Sequence, residues 1–228
     1  NKGSIIAIAG PGITQYSTDA GENWSAATID NDTQLFNATY DQYRQQFIAV
    51  GQAGTVQLSP DGKSWTRINT NISQSLQTVY ATKNILWAAG DKGVLIYSTD
   101  GGKNWQNSTP DTQATLIALF ETSEGNLIAS GTQGTVLRLD KEDGRWHLIT
   151  TPTQSGLRTP VQDQNTGLIY IPGKTGEIIY STDDGLSWQL MPSITQGSIK
   201  SLHVDNHNKM LIGVGERLIK IPLLNRHN

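Results

Sequence analysis

Four aspartates stand in nearly the same surroundings along the chain: Asp19 in YSTDAGENW, Asp61 in LSPDGKSW, Asp100 in YSTDGGKNW and Asp183 in YSTDDGLSW. A carboxylate held by such a turn could act as a nucleophile or a general acid. Repetition points elsewhere, because a catalytic centre needs one such group whereas a fold needs the same turn wherever the same unit recurs. Other carboxyls could face one another across a cleft as the two acids of a glycosidase do: Glu121 with Asp163, and Glu177 with Glu216. His203 and His207 bracket the stretch VDN, and two imidazoles at that spacing read as surface side chains, not as a metal site. The chain has no cysteine, which excludes disulfides, thiolate chemistry and sulfur-bound zinc. It shows neither a nucleophile elbow nor a phosphate loop. The sequence therefore assigns no catalytic residue, no metal and no cofactor, and the expectation is a protein that is not an enzyme.

The 228 residues carry a formal net charge of −3 and a pI near 5.8. No run of Lys and Arg interrupts that balance, so nucleic acid, which needs a concentrated cationic surface, is not an expected partner. A composition 36% hydrophobic and 16% charged is that of an ordered globular chain. No stretch approaches the roughly eighteen apolar residues of a membrane span. The chain begins at Asn1, so the expectation is that a leader was removed or that this is an excised piece, with a periplasmic, secreted or lumenal location. Triplets of the form N-x-S/T at Asn23, Asn31, Asn37, Asn71 and Asn107 carry no weight, because turns rich in Asn and Thr generate them by accident.

Tryptophan reveals the elements that must position these residues. Trp24, Trp65, Trp105, Trp146 and Trp188 follow one another at intervals of 40–42 residues, the period of a solenoid, propeller or array. Each period reads as four short strands separated by Gly, Asn and Asp. From Leu76 onward these are LQTVYAT, NILWAAG, GVLIYST and NWQNST. The same four recur at LFNATYD, QFIAVGQ, GTVQLSP and SWTRINT, at LIALFET, NLIASGT, GTVLRLD and RWHLIT, and at LRTPVQD, GLIYIPG, GEIIYST and SWQLMPS. Helical periodicity is absent. Four antiparallel strands per unit make the blade of an all-β propeller. One domain, 1–228, is expected, with blade units at about 1–28, 35–70, 76–109, 116–150, 157–193 and 199–223. The first unit reads as strands two to four and the last as strands one to three. Six blades are favoured, and five or seven are also compatible with the strand count.

The repeated turn then lies between the third and fourth strands. Its Asp can accept backbone N–H bonds, its Ser supplies a second acceptor, and its Gly can adopt positive φ. The Trp opens the fourth strand and can fold back over the turn, hiding about 150–250 Å² while its indole N–H finds an acceptor. This structural role falls to Ser17, Asp19, Gly21 and Trp24, to Ser59, Asp61 and Trp65, to Ser98, Asp100, Gly102 and Trp105, to Trp146, and to Ser181, Asp183, Gly185 and Trp188. Three copies match S-x-D-x-G-x-x-W in full; the copy ending at Trp65 is one residue short, and that ending at Trp146 keeps only Asp-Gly and the Trp. The pattern resembles the Asp-box, or bacterial neuraminidase repeat, of sialidases and of non-enzymatic propellers. Each third strand is also preceded by G-x-x-G, as GQAG, GDKG, GTQG and GKTG. The combination is similar to the photosystem II stability and assembly factor family and its bacterial relatives. That resemblance implies a protein-binding propeller that assists the assembly or stability of a membrane protein complex. A sialidase would require three arginines gripping a carboxylate, and Arg67, Arg138 and Arg145 map to third and fourth strands or their turn, away from a central pocket. A glycan-binding or glycan-cleaving propeller is the alternative from another class.

In a four-stranded meander the turns after strands two and four emerge on one face, and those after strands one and three on the other. The face opposite the Asp-box turns then presents Gln52, Lys92, Gln133 and Lys174 at turn tips. Arg158 and Lys200 lie just inside first strands, where the other units carry Phe36, Gln77 and Ile117. Lys92, Arg158, Lys174 and Lys200 are basic on an acidic protein, which suits an acidic segment or the C-terminal carboxylate of a membrane protein as partner.

Overall fold

Apolar runs bounded by Gly, Asn and Asp become antiparallel strands throughout the computed structural model of the protein, which describes residues 5–8, 14–29, 34–108, 110–191 and 197–224. Asn31 and residues 1–4, 9–13, 109 and 192–193 of the expected units lie outside the described residues. The chain divides into two compact units, Asn1–Thr109 and Pro110–Asn228. The first holds a three-stranded sheet, β1 (Ile5–Ile8), β2 (Thr14–Ser17) and β3 (Ser25–Ala26), and two four-stranded sheets. These are β4 (Leu35–Asp41), β5 (Gln46–Gly51), β6 (Val56–Ser59) and β7 (Thr66–Ile68), then β8 (Leu76–Ala81), β9 (Leu86–Gly90), β10 (Leu95–Ser98) and β11 (Gln106–Ser108). The second unit begins with β12 (Leu116–Glu121), β13 (Leu127–Gly131), β14 (Val136–Leu139) and β15 (Trp146–Ile149). It continues with β16 (Val161–Gln162), β17 (Ile169–Pro172), β18 (Ile178–Ser181) and β19 (Gln189–Leu190), and closes on a three-stranded sheet, β20 (Ile199–Asp205), β21 (Met210–Gly215) and β22 (Leu218–Pro222). Order along each sheet follows order along the chain. Because β20 pairs with β21, IKSLHVD belongs to the last sheet.

Burial falls from the second strand outward. β5, β9, β13 and β17 are buried along nearly their whole length, while β7, β11, β15 and β19 are exposed or half-exposed. A strand covered on both faces loses its alternation, which is why β9 reads LWAAG and β13 reads LIASG. The core lies between stacked sheets. In the first unit Ile48, Val50 and Val56 pack with Leu76, Val79, Leu86 and Ile96. In the second, Ile128 and Val136 meet Ile169, Ile171, Ile179 and Trp188, and Tyr170, Ile178 and Met191 meet Ile199, Leu202 and Leu211. Each such aliphatic side chain contributes about 1.5–3 kcal/mol relative to exposure.

The first strands carry a feature that alternation alone did not reveal. Register slips between Leu35 and Asn37, Leu76 and Thr78, Leu116 and Ala118, and Ile199 and Ser201. Phe36, Gln77, Ile117 and Lys200 are therefore each the extra residue of a β-bulge, a device that bends a strand and re-aims a side chain. The sheet β16–β19 departs from this. LRTPVQD is not one strand: only Val161–Gln162 joins the ladder, and Leu157 makes an isolated bridge to Gly173. Pro160 lies between them and has no N–H to give to a ladder.

The G-x-x-G turns tie the ends of second strands to the chain ahead of first strands. The N–H after the first glycine donates to a carbonyl there: Gln52 to Gln34 at 2.8 Å, Asp91 to Ser75 at 2.9 Å, Thr132 to Thr115 at 2.9 Å and Lys174 to Gly156 at 2.8 Å; in the last sheet Glu216, after Gly215 of the turn GERL, donates to Ser198 at 3.2 Å in the same way. The two backbones approach so closely that a Cβ on Gly51 or Gly90 would lie 2.0 Å from the carbonyl oxygen of Gln34 or Ser75. The first glycine is there for room. The last one has φ of +67° at Gly54 and +71° at Gly93, a conformation that L side chains resist. Among the described residues no helix is long and apolar enough to cross a membrane.

Gly90→Ala should lower stability by about 1–3 kcal/mol, since the methyl has only backbone to displace. Gly156→Ala, whose Cβ would find its nearest neighbours at 4.0 Å, should leave the melting temperature almost unchanged. Thermal melts of the two variants beside the wild type check the contrast, and equal melting temperatures would contradict it.

Candidate functional site

Within each unit, the Asp-box turns lie at the same end of the sheets as the turns between first and second strands. Gln46, at the start of β5, donates to the carbonyl of Gly101 at 2.9 Å, and Asn126, ahead of β13, donates to Asp184 at 2.7 Å. Each turn is knitted by its own side chains. Ser98 Oγ donates to Asp100 Oδ1 at 2.8 Å and accepts the N–H of Gly102 at 2.9 Å. Asp100 accepts the N–H groups of Lys103 and Asn104 at 3.1 and 3.0 Å, and the Asn104 side chain at 2.7 Å. Gly21 and Gly185 donate to Ser17 and Ser181 at 2.9 and 2.8 Å, while Asn23 and Ser187 hold Asp19 and Asp183. The shorter copy uses Gly62 to Ser59 at 2.8 Å and Lys63 to Asp61 at 2.9 Å.

These donors keep the carboxylates ionised. The backbone N–H of Asn104, with its side-chain amide, lowers Asp100 to about 2, and the backbone N–H of Asn23, with the Ser17 hydroxyl, lowers Asp19 to about 2. Asp61 is lowered chiefly by the N–H of Lys63. At Asp183 burial pushes upward, but the hydroxyl and N–H of Ser187 outweigh it and the net shift is down. Trp24, Trp65 and Trp105 fold back and donate to the carbonyls of Gly21, Gly62 and Gly102 at 3.0, 3.0 and 2.9 Å, whereas the buried Nε1 of Trp188 has no hydrogen-bond partner among the described residues, so the expected acceptor is missing in that copy. Their depths differ. Trp65 and Trp188 are 9% and 7% exposed, whereas Trp24 is 39% exposed beside the exposed two-residue strand β3, so the expected burial fails there.

The degenerate copy RLDKEDGRW has a different device. Arg138 on β14, only 6% exposed, bonds Asp140 at 2.9 Å and reaches the next sheet, where it meets the carbonyl of Asp184 at 2.9 Å and its carboxylate at 3.2 Å. No local motif announces a pair 46 residues apart. The candidate catalytic carboxylates have local partners too. Asp163, 1% exposed, accepts the N–H of Asn165 at 2.9 Å and the hydroxyl of Thr166 at 2.7 Å. Glu177 accepts the hydroxyls of Thr175 and Thr153 at 2.6 and 3.3 Å. Burial raises the pKa of Glu121. His203 lies on β20 and His207 in the turn after it, both exposed. Among the described residues no group of three or more His, Asp or Glu could hold a metal ion.

Within each unit, the opposite ends of the sheets carry the G-x-x-G turns and the links between sheets. Lys92 and Gln133 occupy the third place of the motif with φ of +56° and +59°, while Gln52 and Lys174 occupy the second, and all four are exposed. Lys200 is exposed at its bulge; Arg158 is half-buried, with its Nε shielded and lacking a hydrogen-bond partner among the described residues. In the second unit Gly134 donates to Ser155 at 2.8 Å, Leu157 to Gly131 at 2.9 Å and Lys174 to Gly156 at 2.8 Å. These bonds bring the Gln133 turn, the Lys174 turn and Arg158 into one neighbourhood. In the first unit the bulge residue Gln77 donates to Asp91 at 3.1 Å, next to Lys92. A cavity of about 340 Å³ beside the Gln52 turn is lined by Ala53, Gly54, Arg67, Ile68, Asn69, Thr70 and Ile72.

Comparison with known proteins places this arrangement. The model of the DUF6242 beta propeller domain matches residues 47–165, just over half of the chain. The BNR/Asp-box repeat matches residues 15–26, which contain Ser17, Asp19, Gly21 and Trp24. The photosystem II assembly lipoprotein Ycf48 of Synechococcus sp. (strain CC9902) is 21% identical over 206 residues, covering 83% of this chain and 61% of the relative. Its counterpart in Nostoc sp. (strain PCC 7120) is 31% identical over 113 residues, covering 46% of this chain and 32% of the relative. The chain thus spans less than two thirds of the length of these relatives. A solved structure of YCF48 bound to D1 peptide is similar with a TM-score of 0.73 at 14% identity, covering 100% of this chain and 77% of that one. The fold is a β-propeller.

The lowered aspartates set a pH dependence. Asp19 and Asp100 titrate near 2 when folded against about 3.9 when unfolded. Their stabilisation is present above about pH 4 and is lost as the pH falls towards 2. Asp100→Ala should lower the melting temperature at pH 7 by roughly 2–4 °C, and the gap to the wild type should shrink as the pH falls to 2. A gap that stays constant over that range would assign the loss to packing instead.

Proposed function

The chain belongs to the DUF6242 beta propeller domain family, and on that premise we propose that it is a non-enzymatic propeller that binds another protein. Its work in this reading is to assist the assembly or stability of a membrane protein complex from the periplasm, the lumen or the cell exterior. The observation that carries the reading is how charge is used at the two ends. The recurrent carboxylates of Asp19, Asp61, Asp100 and Asp183 are all engaged by N–H groups of their own turns, as a fold-forming residue would be. Lys92, Lys174 and Lys200 are left exposed at the G-x-x-G ends, where a negatively charged segment or a free C-terminus would find them. The similarity to assembly lipoproteins and to a propeller bound to a peptide supports the same conclusion.

Fluorescence anisotropy with synthetic acidic peptides that end in a free carboxylate tests it. Wild-type affinity should fall as salt rises, and changing Lys92, Lys174 and Lys200 to Glu should weaken binding at least about tenfold at low salt while the melting curve is preserved. Arg158→Gln is measured separately because its Nε is shielded from solvent. Hydrolysis of sialosides or polysaccharides by the wild type, abolished by Glu177→Gln or Asp163→Asn, would replace this reading with a glycosidase.

A further inference from the structure

Repeats make divergence informative. In four sheets a backbone carbonyl presses on the glycine that ends the second strand: a Cβ on Gly51, Gly90, Gly131 or Gly215 would meet the oxygen of residue 34, 75, 115 or 198 at 2.0, 2.0, 2.2 or 1.9 Å. At Gly173 the group in that place is the Glu177 carboxylate, whose Oε1 a Cβ would meet at 2.1 Å. Glu177 stands where the corresponding motifs have Thr55, Val94 and Thr135. Its carboxylate is ringed by hydroxyls, with Thr175 Oγ1 at 2.6 Å from Oε2, Thr153 Oγ1 at 3.3 Å from Oε1, and Ser155 Oγ 3.3 Å from Thr175 Oγ1. Burial pushes its pKa upward, but the hydroxyls of Ser155, Thr175 and Thr153 outweigh that, so the group stays ionised.

Glu177 forms no ion pair among the described residues. Cations are nevertheless close along the backbone. Lys174 bonds Gly156 through its N–H at 2.8 Å, and Arg158 bonds Pro172 through its N–H at 2.9 Å while its side-chain Nε is shielded and lacks a partner. The first strand is also broken here at Pro160. A fixed, ionised carboxylate with no ion-pair partner among the described residues is complementary to a bound cation, and it repels a ligand that brings only negative charge.

We propose that Glu177 is a specificity-determining residue of the docking end: its hydroxyl-ringed carboxylate accepts a Lys ammonium or Arg guanidinium of the bound polypeptide, while Lys174 and Arg158 take a neighbouring anionic group. The partner segment therefore carries charges of both signs. This rests on the protein-binding reading above and adds to it the charge pattern of the partner.

Three synthetic peptides test the proposal on the full chain by fluorescence anisotropy. All end in two glutamates and a free carboxylate, and they differ at one position a few residues upstream, which holds Lys, norleucine or Glu. Wild-type protein should bind the Lys peptide about tenfold more tightly than the norleucine peptide, and the Glu peptide least of all. Glu177→Gln should bring the three within about twofold of one another, and Lys174→Glu should weaken all three. In a Thr153→Val/Thr175→Val variant the preference for Lys should disappear at a higher pH than in the wild type, because the carboxylate loses the donors that keep it charged. Equal wild-type affinity for the Lys and norleucine peptides, with Lys174→Glu still weakening both, overturns the role of Glu177 and leaves the protein-binding reading intact. No binding of any of the three overturns both. The wild-type series decides between these outcomes without relying on the folding of any variant.

Discussion

A backbone hydrogen bond from the residue after the glycine at the end of the second strand to a carbonyl ahead of the first strand governs the geometry of five sheets. One such bond contributes only about 0.5–1.5 kcal/mol net, so its importance is geometric. It fixes where the first strand begins relative to the end of the second, and two backbones at that distance leave no space for a Cβ at Gly51 or Gly90. In four of the five sheets the ladder takes up an extra residue immediately afterwards, which is where Phe36, Gln77, Ile117 and Lys200 lie. In those four sheets the glycine, the bulge and the direction of one side chain accompany the same close approach.

The two ends of the sheets treat charge in opposite ways. At the Asp-box end each carboxylate is surrounded by donors from within its own turn, and even the buried Arg138 is consumed by Asp140 and Asp184. At the G-x-x-G end the polar contacts are largely backbone to backbone, which leaves side chains such as Lys174 and Gln133 exposed. Local saturation at one end and exposed side chains at the other is what separates a region that carries the fold from one that can meet a ligand.

Much of this was legible in the sequence, because the governing interactions were local. The intervals between tryptophans located the strands, and Ser-x-Asp ahead of Gly foretold which atoms would accept which N–H groups. The bulges were not legible, since an unpaired residue in a first strand keeps the same apolar neighbours as a paired one. The interruption in LRTPVQD had a visible cause in Pro160, which the regular period masked. The strand pattern places Arg138 away from a central pocket, and its pairing with Asp184 depends on how two sheets stack, which no stretch of either sheet records. The ring of hydroxyls at Glu177 was hidden for the same reason: Thr153 and Ser155 belong to the link before β16, and Thr175 to the turn after β17.

The side-chain bonds of the Asp-box turns span at most four residues, whereas the sheets they join are stitched together by contacts between separate repeats. Closing so short a loop costs little chain entropy and takes on the order of 10–100 ns. Each hairpin of third and fourth strands can therefore acquire its shape as soon as its own residues leave the ribosome, without waiting for a neighbour. The slow event is the later stacking of one finished hairpin-bearing sheet on the next, during which the apolar second strands are uncovered. Vulnerability to aggregation is accordingly concentrated in β5, β9, β13 and β17, and the interval in which it matters is set by the arrival of the following repeat.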